Sequence, residues 1–172
     1  MTGAIHHEAA RLIDSLNLQP HPEGGWYRET WRSVGEVDLP PLGARSAGTA
    51  IYYLLAAGQH SCFHRLAADE VWHLYRGGPV FLHLLEDGSR YRRLELGGDG
   101  GEVTGYQAVV PAGTWFAATL AGPAAFGLTG CTMAPGFHFE DFQLADRRSL
   151  LAEFSDHHEI IRRLTPEPGE DK

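Results

Sequence analysis

Short runs of β-forming residues, separated by turn residues, fill the chain from about residue 49 to residue 144. The runs are rich in aliphatic and aromatic side chains, and glycine, proline or aspartate separates them, as at Gly77, Gly78 and Pro79. About eight to ten strands at this spacing are typical of a β-sandwich or barrel, whereas alternating strands and helices would predict a parallel sheet. We therefore predict a mainly β architecture.

Helical patterns flank this β region and complete a single domain. Near the amino terminus, Ala9, Leu12, Ile13 and Leu16 recur at the spacing of one helix face. Apolar residues return to helical spacing between residues 146 and 164. We expect one domain over residues 1–172, with a short N-terminal helix, a barrel core at about residues 45–144 and a helical tail at about residues 145–165.

Charge and composition exclude several function classes. The net charge of −8 argues against a nucleic-acid partner, because such partners require a basic surface. The sole lysine is the terminal Lys172, which cannot act as a buried Schiff-base or phosphate-binding lysine. No apolar run is long enough to span a membrane, and the first residues lack the basic and apolar regions of a signal peptide. We expect a soluble, cytoplasmic protein with no membrane partner.

His64 and Glu70 form the strongest candidate pair for catalysis. Strand alternation puts His60 and Cys62 on the face of His64, but His60 and His64 would lie about 13 Å apart, too far for one metal ion. The turn that follows can instead bring Glu70 back beside His64. A buried histidine next to a carboxylate is a plausible general base, because the carboxylate fixes its tautomer and raises its basicity. The alternative is a structural pair lining the core.

Six further residues are candidates for ligand binding: Glu23, Tyr27, Arg28, Tyr52, Trp72 and Gln107. Three of them lie in residues 19–33, a segment broken by prolines and glycines that could cover a barrel mouth or form a dimer seam. Arg28 could clamp an anion, Trp72 could stack a sugar or base, and Gln107 could anchor a polar group. Surface ion pairing is the alternative for Arg28, and core packing is the alternative for Trp72.

Two spaced motifs resemble those of the cupin superfamily. The first, G-x5-H-x-H-x3-E-x6-G, matches in register at Gly58, His64, Leu66, Glu70 and Gly77. The second, G-x5-P-x-G-x2-H, matches in register from Gly105 to Phe116. The wider sequence, including PHPEGGWYRETWRS and GCTMAPGFHFEDF, resembles the cupin-like family of uncharacterised proteins called domain of unknown function 985. The resemblance implies a double-stranded β-helix, also called a jelly-roll barrel.

The resemblance also bears on metal binding. Cupins with a catalytic metal use two histidines and a glutamate from the first motif and a histidine from the second. Here Leu66 and Phe116 stand at two of these four positions, and neither side chain can donate an electron pair to an ion. We therefore predict no metal and no other cofactor. The alternative is a metal-dependent cupin with atypical ligands that recruits His60 or His73.

Sugar-nucleotide 3,5-epimerases are similar in barrel type and work without a metal, using a histidine base, a carboxylate and a tyrosine acid. By that resemblance, His64 would abstract a proton next to a carbonyl and Glu70 would orient it. Tyr27, Tyr52 or Tyr53 would protonate the opposite face. The leading hypothesis is a barrel that binds a small polar or anionic metabolite, with isomerase or epimerase chemistry. A non-catalytic binding or sensor module is a further alternative, and the resemblance also implies a homodimer.

Overall fold

A computed structural model of the chain describes residues 5–98 and 104–166. The described residues are mostly β-strand, so the predicted fold class is confirmed. The strands are β1 (Gln19–Pro20), β2 (Trp26–Arg32), β3 (Glu36–Leu39), β4 (Gly43–Ser46), β5 (Thr49–Ala56), β6 (His60–Leu66), β7 (Glu70–Gly77), β8 (Val80–Glu86), β9 (Arg90–Leu96), β10 (Thr104–Gly105), β11 (Gln107–Val110), β12 (Trp115–Leu120), β13 (Phe126–Met133) and β14 (Phe142–Leu144). The helices are α1 (His7–Ser15), α2 (Arg147–Glu153) and α3 (His158–Arg163), with 3-10 turns at Phe139–Asp141 and Ser155–His157.

Two six-stranded sheets form the body of the molecule. The first has the order β1-β2-β5-β13-β7-β11, and the second has the order β10-β9-β8-β12-β6-β14. Strands β3 and β4 form a separate hairpin. The inner faces of the two sheets share one apolar core, in which Tyr53 and Trp72 of the first sheet pack with Leu84 and Phe116 of the second. This pairing of strands distant in sequence is the arrangement of a jelly-roll barrel.

The first sheet begins earlier in the chain than the sequence predicted. Strand β2 lies within the segment of residues 19–33, whose prolines and glycines suggested an irregular cover. It pairs antiparallel with β5, so Tyr27 lies opposite Tyr53 and Arg28 lies opposite Tyr52. The breakers lie before the strand rather than within it, and alternation along β2 sends Tyr27 and Glu29 to the inner face.

Helices cover part of each outer face. Helix α1 contributes Ala9 to a cluster with Leu54 and Phe126 on the outside of the first sheet. The C-terminal helices pack on the outside of the second sheet, where Leu150 and Ile161 are buried. Both helical regions agree with the apolar spacing in the sequence. Among residues 5–98 and 104–166, no helix combines the length and the apolar character needed to cross a bilayer.

Candidate functional site

A cavity of about 430 Å³ lies between the inner faces of the two sheets. Its walls combine aromatic and aliphatic side chains with a small set of ionisable groups. The ionisable residues are His21, Glu23, Tyr27, Glu29, Arg32, Tyr53, His64, Glu70, Cys131 and His138; the others are Gln19, Thr49, Ile51, Leu66, Trp72, Met133, Phe137, Phe139 and Phe142. A mostly apolar wall with a few convergent polar groups is the usual character of a small-molecule site.

The loop before β2 brings Glu23 into the cavity wall. Gly24 has φ +111°, and a β-carbon there would collide with the backbone oxygen of His60, so only glycine allows this close approach. The backbone amide of Cys62 donates to the carbonyl of Glu23 at 2.8 Å, and the Tyr53 hydroxyl donates to the carbonyl of Gly24 at 2.8 Å. These contacts fasten the loop to β6 and β5, and they hold the carboxyl group of Glu23 beside His64.

Three side chains surround the Glu23 carboxyl group. Nε2 of His64 lies 3.2 Å from Oε2 of Glu23, and Nδ1 of His21 lies 3.4 Å from the same oxygen. The hydroxyl of Ser61 donates to the other oxygen, Oε1, at 3.1 Å. His64 and Glu23 are only 2% and 6% exposed. The carboxyl group is therefore buried among polar partners that can all exchange or direct a proton.

The hydrogen-bond pattern fixes where the histidine protons sit. Nδ1 of His64 lies 2.8 Å from the carbonyl oxygen of Cys62, which can only accept, so Nδ1 carries hydrogen and Nε2 presents a lone pair to Glu23. The backbone amide of Glu23 donates to Nδ1 of His21 at 3.3 Å, so this nitrogen also presents a lone pair. That amide occupies the His21 lone pair, so only the lone pair of His64 is directed at Oε2 of Glu23. The contact with His64 is favourable only with a proton between Oε2 and Nε2.

Burial favours the uncharged form of this pair. Removal from water lowers the pKa of His64 to about 4, and the hydrogen bond to the Cys62 carbonyl opposes the shift only in part. Burial also raises the pKa of Glu23, against the opposing effects of His21 and Ser61. The pKa of His21 is lowered by burial as well, although Glu23 opposes that shift. Burial therefore favours a neutral carboxyl group on Glu23 that donates its proton to Nε2 of His64.

Strand β6 is bulged beside this pair. Phe116 of β12 lies opposite His64, but Ala118, two residues further on, lies opposite Ser61, three residues back. The extra residue shifts the alternation, so Ser61 and His64 both reach Glu23. Strict alternation predicts Cys62 on the face of His64, and this prediction is wrong because of the bulge.

Glu70 lies on the cavity wall at the start of β7 and is 7% exposed. The indole Nε1–H of Trp72 donates to its Oε2 at 2.6 Å. Burial and the neighbouring Glu23 raise the pKa of Glu70 to about 8, and the hydrogen bonds from Trp72 and Cys131 offset this only in part. Glu70 is therefore mainly a neutral carboxylic acid at pH 7, on the same cavity as the Glu23–His64 pair.

The cavity wall includes five of the residues proposed from the sequence and leaves out three. His64, Glu70, Glu23, Tyr27 and Trp72 line it. Arg28, Tyr52 and Gln107 belong to the outer face of the first sheet. The guanidinium of Arg28 lies 5.9 Å from the centre of the Tyr52 ring, and Nε2 of Gln107 bonds Nδ1 of His73 at 2.9 Å.

Four polar residues outside the site assigned from the sequence also contribute: His21, Ser61, and the pair of Glu29 and Arg32. His21 and Ser61 contact the Glu23 carboxyl group, as described above. Arg32 holds Glu29 through two hydrogen bonds of 3.0 and 2.6 Å at the half-exposed rim. If residues 26–32 are taken as a strand, alternation predicts that Glu29 lies on the same face as Tyr27.

The donor set does not fit the metal site of metal-binding cupins. Leu66 stands on the cavity wall, and Phe116 is fully buried with its ring 4.1 Å from that of His64. Nδ1 of His73 bonds Gln107 on the outer face, and His60 is not among the cavity-lining residues that the structure describes. No group of three or more His, Cys, Asp or Glu in the described ranges is arranged to hold an ion.

Elemental analysis of the purified chain checks the metal prediction. We expect well below one transition-metal ion per chain, because two apolar side chains replace ligands and a metal ion requires three or more protein donors. About one ion per chain, lost in His64→Ala and kept in His158→Ala at an exposed position, would contradict the prediction.

Fold and site together define a cupin barrel with an atypical donor set. The chain matches the model of the family described as "Cupin superfamily (DUF985)" over residues 10–145, and it belongs to that family. It is 33% identical to the uncharacterized protein YML079W of Saccharomyces cerevisiae, in an alignment covering 76% of this chain and 72% of that protein. The membership predicted from the two spaced motifs is confirmed.

Solved structures support the same assignment. A hypothetical protein from Leishmania major has a TM-score of 0.83 and 33% identity, and the match covers 92% of this chain and 99% of that chain. Oxalate decarboxylase from Bacillus subtilis has a TM-score of 0.54 at 17% identity, over 89% of this chain and 37% of that chain. At that identity the second match establishes the shared fold alone.

Proposed function

We propose that the chain binds a small polar molecule in the cavity between its sheets and moves a proton on it without a metal ion, as an isomerase or epimerase does. The observation that carries the proposal is the buried contact between Nε2 of His64 and Oε2 of Glu23. Structural ion pairs also occur in protein cores, but this pair and Glu70 both border a cavity large enough for a metabolite. The binding of small molecules is common to cupin barrels.

The Glu23–His64 pair and Glu70 lie on one cavity, as a base and an acid must to move a proton at a carbon next to a carbonyl. The Glu23–His64 pair would accept the proton from that carbon: the shared proton moves onto Nε2 of His64, and the freed Oε2 of Glu23 takes the substrate proton, while Nδ1–H remains bonded to the Cys62 carbonyl. Glu70, protonated at neutral pH, would donate its proton to the carbonyl oxygen. The substrate becomes an enol, and return of a proton to either face of the carbon yields the starting compound, its epimer or its isomer.

Exchange of carbon-bound hydrogen with solvent deuterium tests this proposal. Dihydroxyacetone, erythrulose and ribulose are incubated in D₂O with the protein, and loss of the proton signals next to the carbonyl is followed by NMR. We expect exchange well above the buffer rate for at least one of them. His64→Gln and Glu23→Gln should slow it by about 100-fold or more, the usual contribution of general acid–base catalysis.

The controls are His158→Gln and Glu159→Gln, which make the same chemical changes at exposed positions and should leave the exchange rate unchanged. Exchange that survives in His64→Gln would contradict the catalytic assignment. Binding of a ketose without any exchange would support the non-catalytic binding module instead.

The homodimer expected from the family resemblance stays a prediction.

A further inference from the structure

The charge balance of the cavity indicates what kind of molecule it accepts. Three carboxyl-bearing residues line the cavity, and Arg32 is the one permanent cation among the lining residues that the structure describes. An anionic ligand in such a space must exchange its hydration for protein partners, and a buried charge without a cationic partner is strongly disfavoured. The availability of Arg32 therefore decides whether an anion can bind.

Arg32 already donates four hydrogen bonds at the rim. Its Nε and Nη2 donate to the two oxygens of Glu29 at 3.0 and 2.6 Å. Its Nη1 donates to the Ser46 hydroxyl at 3.1 Å and to the Phe137 carbonyl at 3.0 Å. Glu29 neutralises the positive charge, and the other bonds connect β2 to β4 and to the loop before the 3-10 turn. An anion that binds the guanidinium through two hydrogen bonds would have to displace at least one of these partners.

The inner part of the cavity supplies hydrogen bonds but no positive charge. The Glu23–His64 pair is neutral as a unit, whichever of its two atoms holds the shared proton. Glu70 accepts hydrogen bonds from the Trp72 indole and the Cys131 thiol, and it contributes no positive charge. His138 stands at the half-exposed rim, where its Nδ1 lies 3.6 Å from a carboxylate oxygen of Glu140.

Aromatic rings form much of the remaining wall. Tyr27, Tyr53, Trp72 and Phe142 belong to it, and Tyr53 and Trp72 meet edge to face with ring centres 5.5 Å apart. Flat or ring-shaped molecules pack well against such faces, and a carbonyl or hydroxyl group suits the few polar partners.

We propose that this cavity selects an uncharged, compact molecule that carries a carbonyl or hydroxyl group, and that it rejects carboxylates and phosphates. The inference rests on the proposed function, because it assumes that the ligand binds in this cavity. It narrows the ligand class from small polar metabolites in general to the uncharged ones.

A pair of probes matched in size and shape tests the selection. Benzamide and benzoate differ chiefly in charge at pH 7, and their dissociation constants for the full chain are measured by ligand-observed NMR titration. We expect benzamide to bind at least tenfold more tightly than benzoate. Equal affinities, tighter binding of benzoate, or no detectable binding of benzamide would each overturn the inference. None of these results depends on turnover. Failure of this binding test can therefore be distinguished from failure of the deuterium-exchange test of the proposed function.

Releasing Arg32 from its partner gives an independent test. Glu29→Gln keeps the side-chain shape but removes the negative charge that neutralises Arg32. We expect the affinity for benzoate to rise several-fold in this variant, while that for benzamide changes less than twofold. Glu36→Gln, at an exposed position outside the cavity, is the matched control and should change neither affinity. Unchanged discrimination against benzoate in Glu29→Gln would show that the Arg32–Glu29 pair does not exclude anions, and would overturn that part of the inference.

Discussion

Replacing Phe116 with alanine should lower the free energy of unfolding by about 3–5 kcal/mol, the usual cost of removing a phenyl ring from a packed core. Phe116 is fully buried in the core shared by the two sheets. Its ring centre lies 4.1 Å from that of His64 and 6.3 Å from that of Trp72. The lost ring would leave a void against both side chains, because the strands on either side restrict collapse.

Urea unfolding of the two proteins measures this difference, with Phe139→Ala as the control. Phe139 also lines the cavity but is 56% exposed, so its truncation should change the free energy of unfolding by less than about 0.5 kcal/mol. A loss below about 1 kcal/mol in Phe116→Ala would mean that the ring is not packed as described. It would also remove one reason for treating this motif position as structural rather than metal-binding.

Local patterns in the sequence were sufficient to predict the strands between residues 49 and 144 and the family. Each cupin motif is a fixed spacing of residues along strands that follow one another in the chain. The relative positions of the motif residues in the fold can therefore be predicted from the sequence. His64 and Glu70 therefore lie on one cavity, as the first motif predicted. Phe116 is likewise buried beside His64 at the position where the second motif has its histidine.

The partner of His64 could not be predicted in the same way. The sequence analysis paired His64 with Glu70 because a turn brings their strands together. In the structure, the carboxyl group in contact with Nε2 of His64 belongs to Glu23, which arrives from a loop far away in sequence. The contact forms because Gly24 allows that loop to approach β6 closely. No periodic pattern in the sequence predicts this approach.

Arg28 was assigned to the site because strand β2 could not be predicted from the sequence. Residues 26–32 have polar and charged side chains on both faces, and prolines and glycines precede them. An apolar pattern therefore does not mark them as a strand. Once β2 is known, alternation puts Arg28 on the face opposite Tyr27 and Glu29.

Replacing Glu70 with glutamine should make the protein progressively more stable than its parent as the pH rises from about 5 to 8. Burial raises the pKa of Glu70 to about 8 in the folded chain, whereas the unfolded chain releases this proton near the ordinary pKa of 4.5. Between these values the folded state binds one proton more than the unfolded state. The stability of the parent must then fall with rising pH, by up to about 1.4 kcal/mol per pH unit.

Glutamine removes this titration but keeps an oxygen that can accept from the Trp72 indole. Urea unfolding at pH 5.5, 6.5, 7.5 and 8.5 gives the difference between the two proteins, in which the other titrating groups largely cancel. We expect the difference to grow between pH 5.5 and 7.5 and to level off above pH 8, where Glu70 is ionised in both states. Glu153→Gln, at an exposed position, should follow the parent at every pH.

Parallel stability curves for Glu70→Gln and the parent would mean that Glu70 ionises as easily in the folded chain as in the unfolded one. The carboxyl group would then be charged at neutral pH, and it could not donate a proton to a substrate carbonyl. A growing difference would instead establish a neutral acid on the cavity wall. Because Glu70→Gln leaves Glu23 and His64 in place, this measurement separates the acid proposed for catalysis from the base.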